Sequence, residues 1–177
     1  MLIDLKKITH VSRRITQTLG PGWWEKAGDK GLVLGFEDPL SVSVEIYRAG
    51  DKYVLEGSLN GSLQVRCDRC TESYRRELKT AFRLFLAPPP RDGFDEEVAL
   101  TPEDLAGDFI VGETVELDDI IREQIYLAVP MKSLCRIDCR GLCPECGADL
   151  NQGDCRCLKS SGRPEFAKLK NLKFEGE

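Results

Sequence analysis

The chain has 177 residues, 41% of them hydrophobic, and a formal net charge of −5. These figures fit one globular domain with a small appended module and exclude a wholly disordered chain. No stretch approaches about 18 consecutive apolar residues, so no membrane partner is expected. The opening run Met1-Leu2-Ile3-Asp4-Leu5-Lys6-Lys7 puts an acid among its apolar residues, unlike a secretion signal, and the expected compartment is the cytoplasm.

The charge is uneven. Residues 91–123 hold twelve acids against Arg91 and Arg122, a net of −10, which leaves the rest of the chain at +5. The overall negative charge argues against a simple electrostatic nucleic-acid binder, but an acidic insert in a basic body leaves room for a basic face.

The one histidine, His10, lies in a polar stretch and reads as a surface residue. From Leu40 to Ile46 apolar residues alternate with Ser41, Ser43 and Glu45, the period of a half-buried strand. Ala49-Gly50-Asp51 marks a turn. A second alternation then runs from Tyr53 to Cys67 and crosses Asn60-Gly61 without changing phase. A hairpin at Asn60-Gly61 would throw Leu63 and Val65 outward, so the pattern predicts one long strand from about 52 to 67.

The turn is expected at Cys67-Asp68-Arg69-Cys70. With Asp68 and Arg69 as a two-residue loop, Leu63 meets Tyr74, Leu59 meets Leu78, Leu55 meets Phe82 and Tyr53 meets Leu84. Pro88-Pro89-Pro90 ends the returning strand. The acidic stretch 91–108 reads as a surface loop and Phe109-Ile110-Val111 as a short strand. From Leu117 the spacing of Ile120, Ile121, Ile125 and Leu127 predicts an amphipathic helix ended by Pro130, with Asp118 and Asp119 as its solvated first turn. Residues 131–158 are too poor in apolar side chains to fold without a metal.

Closely spaced cysteine pairs in a reducing compartment read as metal ligands rather than disulfides. The eight cysteines are twice the four that close a structural zinc site. The strongest signal is Cys143-Pro144-Glu145-Cys146-Gly147, a knuckle whose glycine permits the left-handed turn. Cys155 and Cys157 supply two further ligands, with Cys-x-Cys where a zinc ribbon has Cys-x-x-Cys. A second site from Cys67, Cys70, Cys135 and Cys139 would pin the C-terminal module onto the hairpin. The alternatives are that Cys135 and Cys139 are free thiols or exchange roles with the neighbouring four.

Catalytic patterns are missing from the sequence. All-cysteine sites are closed, whereas a catalytic zinc keeps an open position. No phosphate loop or dinucleotide fingerprint is present. Cys67-x-x-Cys70 lies between strands rather than at a helix N-terminus, which disfavours a thioredoxin-like centre. The polar hairpin face gathers Lys52, Arg66, Arg75, Lys79 and Arg83 against Glu56 and Glu77, a local +3, with Arg69 at the tip. Zinc knuckles and basic sheet faces both suit RNA, so Arg66, Arg69, Arg75, Lys79 and Arg83 are candidate RNA-binding residues, against the alternative of an ordinary solvated face.

Together, Cys67-Asp68-Arg69-Cys70, Leu134-Cys135, the run Cys139-Arg140-Gly141-Leu142-Cys143-Pro144-Glu145-Cys146-Gly147-Ala148-Asp149-Leu150-Asn151, Cys155-x-Cys157 and Arg163-Pro164-Glu165-Phe166-Ala167-x-Leu169 resemble the YceD family of bacteria and plastids, large ribosomal RNA subunit accumulation proteins. The resemblance implies a role in making, processing or retaining 23S rRNA and supplies no catalytic residues.

The expected fold is α+β: an antiparallel β-sheet with a long hairpin, one or two helices and a C-terminal Cys-rich zinc module. The expected organisation is a mainly β domain over 1–130, with an acidic insert (91–116) and a helix (117–129). A zinc-binding module over 131–158 follows, then a basic tail over 159–177 with helical spacing from Pro164 to Phe174. The expected function is that of a non-catalytic factor for 23S rRNA accumulation, binding rRNA, a pre-50S particle or a ribosomal protein. The alternatives are an adaptor that docks a basic partner through its acidic segment, or a thiol-based redox sensor.

Overall fold

The computed structural model describes residues 1–9, 11–25, 31–50, 52–87, 107–110 and 112–157. His10, the stretch 88–106, Val111 and the tail from residue 158 lie outside the described residues.

The alternating segments form the central strands. β1 (Leu2–Asp4) is followed by a short 3-10 turn, β2 (Arg13–Leu19), α1 (Pro21–Glu25) and β3 (Val33–Phe36). The long strands are β4 (Leu40–Ala49), β5 (Lys52–Arg66) and β6 (Ser73–Ala87), followed by β7 (Gly107–Phe109), β8 (Thr114–Glu116) and α2 (Leu117–Ala128). The main sheet runs β2-β4-β5-β6-β7, with β3 continuing the β4 side of β5 near the hairpin tip. Its pairs are antiparallel except β6 with β7, and β1 and β8 form a separate antiparallel pair. The architecture is α+β, as the alternations predict.

Asn60-Gly61 lies inside β5, as expected, but the register differs from the two-residue prediction. Val65 faces Tyr74, Leu63 faces Arg76 and Leu55 faces Leu84, so each β5 residue meets the β6 residue two places further along. The turn is longer than predicted because it wraps the Cys67 sulfur. The Cys67 amide donates to the Glu72 carbonyl (2.9 Å), the Thr71 amide donates to the Cys67 carbonyl (2.9 Å), and Thr71 takes a left-handed φ of +62°. A shift of two preserves which face each side chain takes. It also sets Gly57 opposite Phe82 and Gly61 opposite Leu78, small against large on the core face.

Leu55, Leu59, Leu63 and Val65 of β5 and Val42, Val44 and Ile46 of β4 are buried on one face of the sheet. The buried stripe of α2 (Leu117, Ile121, Ile125), Trp24 of α1, and Ile3, Leu5 and Ile8 join the same core. Asp118 is not simply solvated, as the sequence suggested. It accepts from Trp23 Nε1 (2.8 Å) and from the Met1 amino group, while Asp119 remains exposed beside Arg122. Nor is the acidic segment a loop to its end: Gly107 and Asp108 begin β7, and Thr114–Glu116 forms β8. The Trp pair and the short strands before residue 40 carried no prediction, although Ile15, Gln17 and Leu19 share the core-facing register of β2.

Candidate metal centres and the face beside them

Two groups of four thiols form at the β5–β6 tip and just beyond it. Cys67, Cys70, Cys135 and Cys139 make one, and Cys143, Cys146, Cys155 and Cys157 the other; within each, all sulfurs lie within 4.8 Å of one another. We call them site A and site B. A metal held by four thiolates at about 2.3 Å sets its sulfurs about 3.8 Å apart. The separations Cys67–Cys139 (3.8 Å), Cys70–Cys135 (3.7 Å) and Cys143–Cys155 (3.4 Å) fit that geometry.

Site A is buried: Cys67, Cys70 and Cys139 are 1%, 3% and 1% exposed. Two clasps bring the C-terminal stretch of chain to it. Asp68 exchanges bonds with Ser133: its amide donates to the Ser133 carbonyl (2.8 Å) and its carboxylate accepts from the Ser133 amide. The Tyr74 hydroxyl meets the Ser133 hydroxyl at 3.0 Å. On the other side, Arg69 Nη1 donates to the Cys139 carbonyl (2.7 Å) and the Leu142 amide donates to the Arg69 carbonyl (3.1 Å).

Site B is built from a turn of its own and is more open. The Gly147 amide donates to the Cys143 carbonyl and the Cys143 amide to the Ala148 carbonyl, both at 2.8 Å, with Gly147 at φ +73°. Cys143 is buried, Cys146 exposed, and Cys155 and Cys157 half-buried. Among the described residues from 131 onward the only regular pairing is the Leu142–Asp149 bridge.

The thiols differ in acidity. Burial raises Cys67, but the amides of Cys70, Cys135 and Arg69 more than offset it and bring it down to about 6. Burial first, then the neighbouring thiols, push Cys70 up to about 12. In site B the amides of Cys146 and Glu145 lower Cys143 to about 7, while the Cys146 thiol pushes Cys157 up to about 12. Each cluster thus favours a thiolate at one cysteine, Cys67 or Cys143, and resists it at two others, Cys70 and Cys135 or Cys155 and Cys157, a conflict that a divalent cation relieves by displacing the protons. The donor sets fit a soft, four-coordinate ion.

The sequence did not single out Asn151. Its side chain donates to Cys139 Sγ (3.5 Å) and Asp149 Oδ1 (2.6 Å), and its Oδ1 accepts from the Arg140 amide and Arg136 Nη2, both at 2.8 Å. Asp149 also accepts from the Asn151 amide at 2.9 Å, the local turn that a sequence of Asp-x-Asn suggests.

Of the five basic residues singled out, Arg66, Arg75, Lys79 and Arg83 are exposed on one sheet face. Arg69 stands apart in the turn, where its guanidinium holds the clasp. Arg75 pairs with Asp38 (2.7 Å) and Glu37 (3.5 Å), and Arg83 with Glu56 (3.1 Å). Neighbouring segments add Arg14, Glu37, Asp38 and Glu45 to that side, which lowers the +3 counted from the hairpin alone to +1.

A mostly antiparallel sheet whose longest hairpin is clamped at its tip by one four-thiol cluster, with a second cluster in the segment that follows, defines an α+β protein with a cysteine-rich clasp. Residues 55–173 match the family model described as large ribosomal RNA subunit accumulation protein YceD, and the chain belongs to that family. Among curated relatives it is 26% identical over 156 residues to the chloroplastic large ribosomal RNA subunit accumulation protein YCED homolog 1 of Arabidopsis thaliana, covering 76% of this chain and 49% of that protein. It is 25% identical to the Zea mays protein of the same name, covering 75% and 56%. An uncharacterised protein of Mycobacterium tuberculosis is 30% identical over 111 residues, covering 63% and 51%. The chain spans about half the length of the curated relatives it matches. No solved structure matches it. Among the described residues no helix is long and apolar enough to cross a membrane.

Proposed function

We propose that this chain is a non-catalytic zinc protein that supports accumulation of 23S rRNA by binding that RNA or a precursor of the large subunit. The family description supports the process, and the two four-thiol clusters support zinc, the ion that closed thiolate sites of this kind hold. When bound, zinc supplies cross-links and no reaction. The chain's own residues supply the rest: Asp68, Arg69 and Ser133 fix the tip, and the strands fix the face.

The observation that carries the RNA reading is the row of exposed basic residues, Arg66, Arg75, Lys79 and Arg83, running back from the clamped tip. The ion pairs of Arg75 and Arg83 do not disqualify them. Exposed pairs contribute about 0–1 kcal/mol, and an RNA phosphate offers each arginine a comparable or better bidentate partner. The modest net charge means that binding is local to this row rather than spread over the surface. Crosslinking in cells followed by sequencing of the bound RNA tests it: enrichment of 23S rRNA or its precursor is expected, and a profile no different from total RNA would refute it.

A further inference from the structure

We propose that Asn151 is a positioning residue that couples the two thiol centres, so that filling site B tightens site A. This rests on the reading that both sites hold zinc.

Asn151 belongs by position to site B, between Cys146 and Cys155 in the loop that the site closes. By contact it belongs to site A, because its amide donates to Cys139 Sγ. Its orientation is over-determined: the carbonyl accepts from Arg140 and Arg136 while the nitrogen faces Asp149 and the sulfur, so only one way round satisfies all four partners. Arg136 and Arg140 flank Cys139 in the site A segment, and Asp149 is bridged to Leu142. Closing the site B loop therefore delivers a donor to a site A sulfur and holds the chain on both sides of Cys139.

Donors of this kind, one bond away from a ligand, typically change metal affinity 10–100-fold. Linkage makes the effect reciprocal. The opposing effect is charge. A divalent ion with four thiolates is dianionic, and two such centres repel. Cys139 and Cys143 are only four residues apart, at most roughly 14 Å between Cα atoms, so salt screening alone does not remove that repulsion. Arg69, which donates to the Cys139 carbonyl and has no carboxylate partner among the described residues, opposes it, as do Arg136 and Arg140 in part, each being paired with an acid (Asp138 and Asp154).

The experiment uses the full reduced chain with zinc competed by a chromophoric chelator and with cobalt(II) as a spectroscopic probe. Removing site B by Cys146→Ser with Cys157→Ser should weaken site A at least about tenfold. Asn151→Ala, which keeps all eight thiols, should still bind two ions but weaken site A about 10–100-fold. In the Asn151→Ala background, removing site B should then change site A little. Asn151→Asp keeps the size and replaces the donor by an acceptor, so the sulfur-to-cobalt band of site A should move to lower energy. An unchanged band, or an equal loss from site B removal with and without Asn151, overturns the proposal. Two ions bound independently would sink the coupling and leave the zinc reading intact, whereas a wild-type chain that takes up no ion sinks both.

Discussion

Gly141 lies against the backbone of Arg69. At its φ of +75° a Cβ would stand 2.9 Å from the Arg69 carbonyl oxygen and 3.2 Å from the Arg69 Cβ. That carbonyl also accepts from the Leu142 amide, so it has little freedom to retreat. Gly141→Ala should therefore combine about 1–2 kcal/mol of left-handed strain with a steric push on the clasp. Metal at site A should be lost to a chelator more readily, and Cys135 should alkylate faster, with the sheet's circular dichroism unchanged. Wild-type metal retention would show that the clasp does not depend on this close approach.

Thr71 carries strain of the opposite kind. A β-branched residue at φ +62° costs of order 1–3 kcal/mol, and the turn holds it there through the Cys67 carbonyl. Thr71→Gly should raise the denaturation free energy by about 1 kcal/mol without altering metal content. A destabilised variant would mean that the threonine side chain contributes more than its backbone costs.

Gly57 and Phe82 explain why β5 tolerates glycine in its middle. A Cβ at Gly57 would come within 2.3 Å of the Phe82 ring, which covers the backbone in its place. Gly57→Ala must push the ring aside, an overpacking cost of about 1–3 kcal/mol. The same change in a Phe82→Ala background should cost distinctly less. Equal losses in both backgrounds would separate the two residues.

The same pair marks the limit of what the sequence made legible. Unbroken alternation across Asn60-Gly61 determined one long strand and the correct faces, since those depend only on parity. It did not determine the register, because the turn length depends on how Cys67 is wrapped, and a shift of two leaves the pattern unchanged. Spacing suggested the grouping of the eight cysteines but left open whether Cys135 and Cys139 join Cys67 and Cys70, because that depends on how the chain after α2 returns to the hairpin tip; the structure brings those four sulfurs together. Asp68–Ser133 and Asn151–Cys139 were not legible, because each joins residues that only the clasp brings together. The charge of the hairpin face was overcounted for a related reason: Glu37, Asp38 and Glu45 arrive from segments outside the hairpin.

On the proposed reading that both sites hold zinc, elemental analysis of reductively purified protein should give about two zinc ions per chain. Strong chelation should expose residues 131–157 to protease while β4, β5 and β6 survive, because the apolar core lies in the sheet and not in the module. A value near one ion, unaffected by Cys67→Ser, would remove site A from the proposal. Equal protease resistance with and without chelator would mean that packing alone holds the module.

The RNA face makes the last prediction. Arg66 and Lys79 are exposed and, among the described residues, have no carboxylate partner comparable to those of Arg75 and Arg83. They should therefore bind phosphate most directly. Arg66→Glu with Lys79→Glu should weaken RNA binding strongly and lower the salt slope by about 1.4–1.8, at roughly 0.7–0.9 for each phosphate no longer neutralised. Reversing Arg75, Lys79 and Arg83 together to glutamate should abolish binding, since a carboxylate at position 75 would also face Glu37 and Asp38 without a counter-charge. Zinc content and folding should persist in both variants, because the altered side chains lie on the solvent face. The competing basic segment of the sequence is the tail, with Lys168, Lys170 and Lys173. Normal RNA binding by the triple variant, together with loss of binding on deletion of residues 164–177, would transfer the function to the tail and refute the hairpin face.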